Sequence, residues 1–208
     1  MTAVTADTFF RFREKNDFFR GPESVSTRDS ALFVMDAQHF FAPDGQWPIP
    51  GIQETNKVIQ DLVERYRKAD GCVVWATQTG DKSKTLDDLK GSEWDLIEGF
   101  RPLAGELFLP KTHGSAFFNT NLDEYLQARG IKKIVLVGYQ PQFCIVTTAS
   151  YGVHLGYRVF VVQDAIRSHN LVSWDNKRKI EGQQLVEAAC DMMDDALAVV
   201  ITAGQVQA

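Results

Sequence analysis

One cysteine in the second half of the chain stands where a nucleophile would be expected. Cys144 follows an apolar run, Lys133 to Val137, that is typical of a buried strand, and it precedes a helix-like run from Ile145 to Leu155. A thiol at a strand-to-helix turn lies beside the positive end of the helix dipole, which lowers the thiol pKa. Most free cysteines are simply small buried hydrophobic residues, so position alone does not identify a nucleophile.

Two charged residues follow other strand-like runs. Asp36 ends the run Ala31 to Met35, and Lys111 comes just after the run Leu107 to Leu109. Because ligands bind beyond the carboxyl ends of parallel strands, we expect Asp36, Lys111 and Cys144 to meet at one edge of a sheet. A carboxylate can accept the thiol proton, and an ammonium stabilises both anions. Singly, these residues could be a turn cap, a surface lysine and a core cysteine, but their equivalent positions favour a catalytic set.

Strand-like and helix-like patterns alternate along the chain and would position these residues. The strands predicted from apolar, β-branched runs are Ala31–Met35, Cys72–Thr77, Leu107–Leu109, Lys133–Val137, Arg158–Val162 and Ala198–Ile201. The helices predicted from amphipathic runs are Ile52–Lys68, Leu122–Ala128, Ile145–Leu155 and Trp174–Met193. This alternation predicts an α/β fold, with a single three-layer α/β/α domain around a doubly wound, mostly parallel sheet of about six strands.

Composition narrows the class of protein. The chain has 208 residues and a formal net charge of -5 without a long basic run, so we expect no nucleic-acid partner. Its three cysteines, Cys72, Cys144 and Cys190, lack disulfide or metal-site spacing and fit a reducing compartment. We find no apolar run long enough to cross a bilayer and no secretory signal pattern. We therefore predict a cytoplasmic protein with no membrane partner.

The first 30 residues differ from the rest because they mix several phenylalanines with charged residues. We predict an N-terminal arm over residues 1–30 that packs on the body or on a neighbouring subunit, followed by one domain over residues 31–208. The arm suggests a homo-oligomer, either a dimer or a tetramer.

Four segments in this order resemble the isochorismatase-like cysteine hydrolases. This superfamily includes nicotinamidases, N-carbamoylsarcosine amidohydrolases, ureidoacrylate and maleamate amidohydrolases, and isochorismatases. The segments are the strand Ala31 to Asp36 with its continuation to Phe41, the loop Lys111 to Leu122, the stretch Gly130 to Ile145, and Asp164-Ala165 with Ala198 to Thr202. The resemblance covers about residues 28 to 205, nearly the whole of a single domain.

The resemblance implies the same fold and assigns roles to three side chains. It makes Cys144 the nucleophile, Asp36 the general base and Lys111 the supporting charge. The backbone N–H groups of Gln140 and Cys144 would form the oxyanion hole, which binds the developing negative charge.

The resemblance also implies a cis peptide bond just before Gln140. Pro141 and Gln142 stand where many members of the superfamily have a Thr or Ser and an Asp. The cis bond could therefore lie either at Tyr139–Gln140 or at Gln140–Pro141, where proline makes it less costly.

Histidine is too sparse for the metal site of the nicotinamidases, which hold a divalent ion through an Asp and several His. Only His39 lies between Asp36 and Asp81, so we predict no metal, no cofactor and no nicotinamidase activity. The loops after the strands are rich in aromatic residues, which predicts a substrate with a flat or apolar portion. The candidate substrate-binding residues are His39, Phe41, Trp47, Gln78, Trp94, His113, Tyr139 and Phe143.

These observations predict a cysteine hydrolase that cleaves a C–N bond of a small amide, ureide or carbamate through a thioester-like intermediate. One alternative is an isochorismatase-type vinyl-ether hydrolase, although that branch often lacks the cysteine. A second is a non-catalytic binding protein on the same fold. A third is redox sensing at Cys144, for which no second cysteine stands nearby in the sequence.

Overall fold

The computed structural model describes residues 24–208, and its centre is a six-stranded parallel sheet. Within this range the strands are β1 Val25–Ser26, β2 Ser30–Met35, β3 Cys72–Gln78, β4 Leu107–Lys111, β5 Lys133–Gly138, β6 Arg158–Ile166, β7 Leu171–Val172, β8 Lys179–Ile180, β9 Val199–Ile201 and β10 Val206–Gln207. The central order is β4-β3-β2-β5-β6-β9, and every neighbouring pair is parallel. The predicted α/β class with about six parallel strands is confirmed.

Helices cover both faces of this sheet. They are α1 Ile52–Lys68, α2 Leu86–Leu89, α3 Leu122–Gln127, α4 Val146–His154 and α5 Gly182–Ala196, with short helical turns at His39–Phe41, Pro141–Ile145 and Ala203–Gln205. Along β2 the side chains alternate, so Phe33 packs with α3, α4 and α5 while Leu32 packs with α1. The result is a three-layer arrangement whose strands are buried on both sides, which explains their continuous apolar sequences.

The last helix begins later than its sequence pattern predicted. The predicted helix Trp174–Met193 is wrong at its start, because α5 begins at Gly182 and the preceding residues form the antiparallel hairpin β7–β8. Asp175 accepts hydrogen bonds from the Ser173 hydroxyl and from the Lys177 N–H. Such side-chain bonds to nearby groups favour a turn over a helix.

Most of the predicted N-terminal arm, residues 1–23, lies outside the described residues. The described end of that segment contributes β1, which pairs with β10 in a separate two-stranded sheet. No helix among residues 24–208 is long and apolar enough to cross a membrane.

Candidate active site

The first component of the candidate site is Asp36, directly after β2. It is buried, and its backbone turns out of the strand with φ of 47°. Its N–H donates to the carbonyl of Ala76 at 2.9 Å, which continues the pairing of β2 with β3 by one residue. Its Oδ1 accepts a hydrogen bond from the Gln78 N–H at 2.8 Å. The carboxylate is thus fixed at the carboxyl edge of the sheet.

Lys111, the last residue of β4, reaches into the same space. Its side chain has no exposed surface, and its Nζ lies 2.9 Å from Asp36 Oδ2 and 3.3 Å from Cys144 Sγ. The ammonium also donates to Gln78 Oε1 at 3.1 Å and to the His113 carbonyl at 3.2 Å. An ammonium carries three N–H groups, so these four acceptors satisfy it without water.

Cys144 lies in the helical turn Pro141–Ile145 that joins β5 to α4. Only 7% of its surface is exposed. The structure therefore brings the three predicted side chains together around one ammonium. Their catalytic roles stay predictions.

The charge balance of this buried set determines the resting form of the cysteine. Burial, followed by the nearby carboxylate of Asp36, raises the pKa of the Cys144 thiol, and the opposing effect of Lys111 does not cancel this. Burial also disfavours the charge on Lys111, but Asp36 and Cys144 outweigh it and raise the lysine pKa. The expected low thiol pKa is therefore wrong, because Asp36 already balances the ammonium and a thiolate would leave a net negative charge in a buried site.

The peptide bond before Gln140 is cis, so the bond lies at Tyr139–Gln140 and not at Gln140–Pro141. Gln140 is buried, and its backbone N–H donates to no acceptor among the described residues. Its side-chain Oε1 accepts a hydrogen bond from Gln142 Nε2 at 2.6 Å. This hydrogen bond spans Pro141. Pro141 and Gln142 are the two residues at which the sequence departs from the superfamily pattern.

Gln78 and Gln38 connect the loops around the site. Gln78 contacts both Asp36 and Lys111, as described above, and it was among the predicted residues. Sequence reasoning missed Gln38, which is buried. Its side-chain amide joins the end of β3 to the loop that carries Trp94. Its only sequence signal was a polar residue two positions after Asp36, in an otherwise apolar and aromatic stretch.

Three of the predicted aromatic residues gather around Phe40. The Trp94 ring stacks on Phe40 with centroids 5.3 Å apart, and the Trp47 ring meets it edge-on at 5.0 Å. Phe41 also contacts Phe40 at 5.3 Å and reaches Tyr139 at 5.9 Å. We call Phe40, Phe41, Trp47 and Trp94 the aromatic wall. Trp47 and Trp94 remain exposed, so part of the wall is open to solvent.

The other predicted pocket residues take varied positions. His113 packs its ring on Phe118, with centroids 4.7 Å apart, and Phe143 is exposed. The imidazole of His39 lies 3.3 Å from the carboxylate of Asp44. Tyr139 is fully buried, and its hydroxyl donates to Asn56 on α1. The structure thus directs the Tyr139 side chain into the core.

Metal-ligating side chains do not cluster in the described part of the chain. Among residues 24–208 no group of three or more His, Cys, Asp or Glu side chains is arranged to hold a metal ion.

The parallel α/β/α fold and the buried Asp–Lys–Cys set define the class of protein. The sequence model of the isochorismatase domain matches residues 30–205. This range is most of the chain, so the chain belongs to the isochorismatase family and is a hydrolase of that family.

Individual relatives agree with this assignment. The chain is 31% identical over 181 residues to the secreted isochorismatase effector Isc1 of Verticillium dahliae, covering 87% of this chain and 92% of that protein. It is 29% identical over 178 residues to the ureidoacrylate amidohydrolase RutB of Variovorax paradoxus, covering 69% and 71%. The solved structure of an isochorismatase from Pseudomonas putida superposes with a TM-score of 0.83 at 24% identity, covering 95% of this chain and 99% of that one. At that identity the superposition supports the fold alone.

Proposed function

We propose that this isochorismatase-family hydrolase cleaves a C–N bond of a small amide, ureide or carbamate, with Cys144 as the nucleophile. The observation that carries the proposal is the Lys111 ammonium, which lies 2.9 Å from Asp36 Oδ2 and 3.3 Å from Cys144 Sγ in a buried site. A base and a thiol that contact the same supporting cation are the parts that acyl transfer requires. Similarity to a ureidoacrylate amidohydrolase over most of the domain favours C–N cleavage.

The first half of the reaction forms an acyl-enzyme. Asp36 accepts the proton of the Cys144 thiol as the sulfur attacks the substrate carbonyl, so no resting thiolate is needed. The backbone N–H groups of Gln140 and Cys144 stabilise the oxyanion of the tetrahedral intermediate. As the intermediate collapses, the C–N bond breaks, the protonated Asp36 gives its proton to the leaving nitrogen, and a thioester on Cys144 remains.

The second half releases the acid. Asp36, again a carboxylate, accepts a proton from a water molecule as that water attacks the thioester carbonyl. The C–S bond then breaks and the proton returns to the sulfur. Lys111 keeps its positive charge throughout and balances whichever anion is present. The proposed sequence uses no cofactor.

A vinyl-ether hydrolase is the second candidate, because relatives named as isochorismatases share the family. That reaction would use Asp36 as an acid and would need no thiol. The contact between Cys144 and Lys111 favours the C–N reaction, since a cysteine without a role would not need a charged partner.

Ammonia release from a panel of small amides, ureides and carbamates tests the proposal. We expect turnover with the wild type and none above background with Cys144→Ala, and we expect a chelator to leave turnover unchanged. Cys190→Ala is the matched control, because Cys190 is also buried, at 8% exposure, and lies outside the site. Mass spectrometry of the quenched enzyme should show the acyl group on the peptide that contains Cys144.

Two results would contradict the proposal. One is full turnover by Cys144→Ala on any C–N substrate. The other is release of pyruvate from isochorismate by both the wild type and Cys144→Ala, with no ammonia from the panel, which would establish the vinyl-ether reaction instead.

The partners and the location are also proposals. We propose a small-molecule substrate, no nucleic-acid or membrane partner, and a dimer or tetramer in solution, which light scattering would measure. The cytoplasmic location predicted from the sequence stays a prediction, and one relative is named as secreted.

A further inference from the structure

Gln38 is a buried residue whose side chain contacts the end of β3 and the loop that carries Trp94, without touching the side chain of Asp36, Lys111 or Cys144. It is 1% exposed. Its Nε2 donates to the carbonyl of Gln78 at 2.8 Å and to the carbonyl of Trp94 at 2.6 Å. Its Oε1 accepts the Gln78 N–H at 3.1 Å. Both ends of the amide are therefore occupied inside the protein.

The end of β3 contacts two of the proposed catalytic groups through Gln78. The Gln78 N–H is shared between Gln38 Oε1 and Asp36 Oδ1, and the Gln78 side chain accepts a hydrogen bond from Lys111. A displacement of Gln78 would therefore move a donor away from Asp36 and an acceptor away from Lys111 together. Gln38 restrains this residue through two hydrogen bonds.

The loop that carries Trp94 contributes part of the aromatic wall. Residues 93–97 run alongside residues 37–40, with hydrogen bonds from the His39 N–H to the Asp95 carbonyl at 2.8 Å and from the Phe40 N–H to the Glu93 carbonyl at 2.8 Å. The Trp94 ring stacks on Phe40 at an interplanar angle of 14°, and 40% of Trp94 is exposed. The Gln38 amide fixes the backbone from which this exposed ring projects.

We propose that Gln38 is a positioning residue that couples the substrate-facing ring of Trp94 to the Asp36–Lys111 pair. The proposal rests on the proposed function, since it assigns substrate contact to the aromatic wall and chemistry to the pair. A planar or apolar part of the substrate would stack on the open face of Trp94. Gln38 then sets the distance between that part and the scissile carbonyl. Misplacement by about 1 Å can reduce a rate by about 100-fold.

Glutamine is suited to this role by its donor and acceptor inventory. The position needs an N–H₂ group facing two carbonyl oxygens and an oxygen facing one N–H, which a carboxamide supplies. Methionine has similar length but offers no strong hydrogen bond. A glutamate has the same shape, but its carboxylate would face two carbonyl oxygens and would bind there only when protonated, which raises the pKa of such a group.

The test compares Gln38→Met and Gln38→Glu with the wild type. Gln127→Met is the matched control, because Gln127 is exposed on α3 and donates only to Asp123 among the described residues. On a substrate found in the ammonia screen, we expect both Gln38 variants to lose about 10- to 100-fold in kcat/KM, with kcat lowered and KM raised. The deficit of Gln38→Glu relative to the wild type should shrink as the pH falls, because protonation restores one donor. Gln127→Met should match the wild type.

Two further measurements need no substrate and so separate this proposal from the proposed function. Alkylation of Cys144 by iodoacetamide should be at least about threefold faster in the folded Gln38 variants, because loosening Gln78 admits water to a thiol whose reactivity is limited by burial. Amide hydrogen exchange should rise together in the peptides that contain Gln78 and Trp94.

The proposal is overturned if folded Gln38→Glu shows wild-type kcat, KM and alkylation rate, or if only its melting temperature falls. A purely structural role would give that result. If no substrate turns over, the proposed function fails, and the alkylation and exchange results still decide the role of Gln38. If Gln38→Met does not fold, Gln38→Glu alone carries the comparison.

Discussion

A cysteine that shares one buried ammonium with a carboxylate acts differently from an isolated reactive thiol. In the buried contact of Asp36, Lys111 and Cys144, the carboxylate balances the ammonium, and burial raises the thiol pKa. The thiol therefore rests protonated, and Asp36, which contacts the same ammonium, is the acceptor that we propose for its proton. This arrangement limits adventitious oxidation, which requires an exposed thiolate. Redox sensing at Cys144 is correspondingly disfavoured.

Replacement of Lys111 tests this residue-scale picture. We expect Lys111→Met to lower kcat/KM by about 1,000-fold, since it removes the cation that supports each anion of the reaction. It should also lower the free energy of unfolding by about 3 kcal/mol or more, because Asp36 stays buried without its partner. Kinetics and urea unfolding measure the two effects.

Lys133→Met is the control, because Lys133 pairs with Asp29 at 2.5 Å but both side chains are partly exposed. Its unfolding free energy should change by no more than about 0.5 kcal/mol. An equal loss of unfolding free energy in the two variants would show that burial does not make the Lys111–Asp36 pair more important for stability than an exposed pair.

The element that presents Cys144, the proposed nucleophile, depends on close backbone packing at the end of β5. Gly138 has φ of 105°, and a Cβ at this position would lie 2.1 Å from the carbonyl oxygen of Met35 on β2. Only glycine fits so close to the neighbouring backbone. At Gly138, just before the turn that carries Cys144, the backbones of β2 and β5 thus leave no room for a side chain.

Gly138→Ala tests this element-scale constraint. We expect it to lower the free energy of unfolding by about 3 kcal/mol or more and to abolish most activity, because the strand end must shift and carry Cys144 with it. Gly130→Ala is the matched control, since Gly130 also has positive φ, at 67°, but no atom of the described residues lies within 4 Å of an added Cβ. It should cost only about 1 to 2 kcal/mol and keep full activity. Retained activity in Gly138→Ala would refute the argument.

At the scale of the whole molecule, several cysteine and tyrosine side chains keep their protons to higher pH because they are buried. Burial, with help from Asp191 and Asp194, raises the pKa of Cys190 to about 11. Burial likewise raises the pKa of Tyr66 and of Tyr139 above the ordinary tyrosine value. In the unfolded chain these groups ionise at lower pH than in the folded protein. The unfolded chain therefore binds fewer protons at alkaline pH.

The sign of the linkage gives a pH dependence. Below the unfolded pKa values the contribution of these groups to stability is fully present, and it is lost as the pH rises toward the folded values. We expect the free energy of unfolding to fall above about pH 9 and more steeply above about pH 10, by about 1.4 kcal/mol per pH unit for each group. Tyr66→Phe should make the fall above pH ~10 shallower by about that amount. Urea unfolding across this range measures it, and an unchanged slope would contradict the assignment to Tyr66.

Sequence patterns predicted the parts of this molecule in which local and global requirements agree. Continuous apolar, β-branched runs such as Lys133 to Val137 are stable only when buried on both faces. They therefore predicted a parallel sheet covered by helices, with the strand ends meeting at one edge. The start of α5 was misplaced because the bonds around Asp175 are local and compete with helix. Gln38 was missed because a buried amide leaves no periodic signal. The thiol pKa was misjudged because burial depends on tertiary packing.

The edge position of β4 has a consequence for how catalysis and folding depend on each other. Within residues 24–208, β4 has one neighbouring strand in the central sheet, β3, whereas the strands that lead to Asp36 and Cys144 are interior and have two. The ammonium is thus carried by one of the two least supported strands of the sheet, and edge elements open at lower free energy than interior ones. Local unfolding of β4 would separate Lys111 from Asp36 and Cys144 while the interior strands stay folded. We therefore expect activity to be lost before global unfolding.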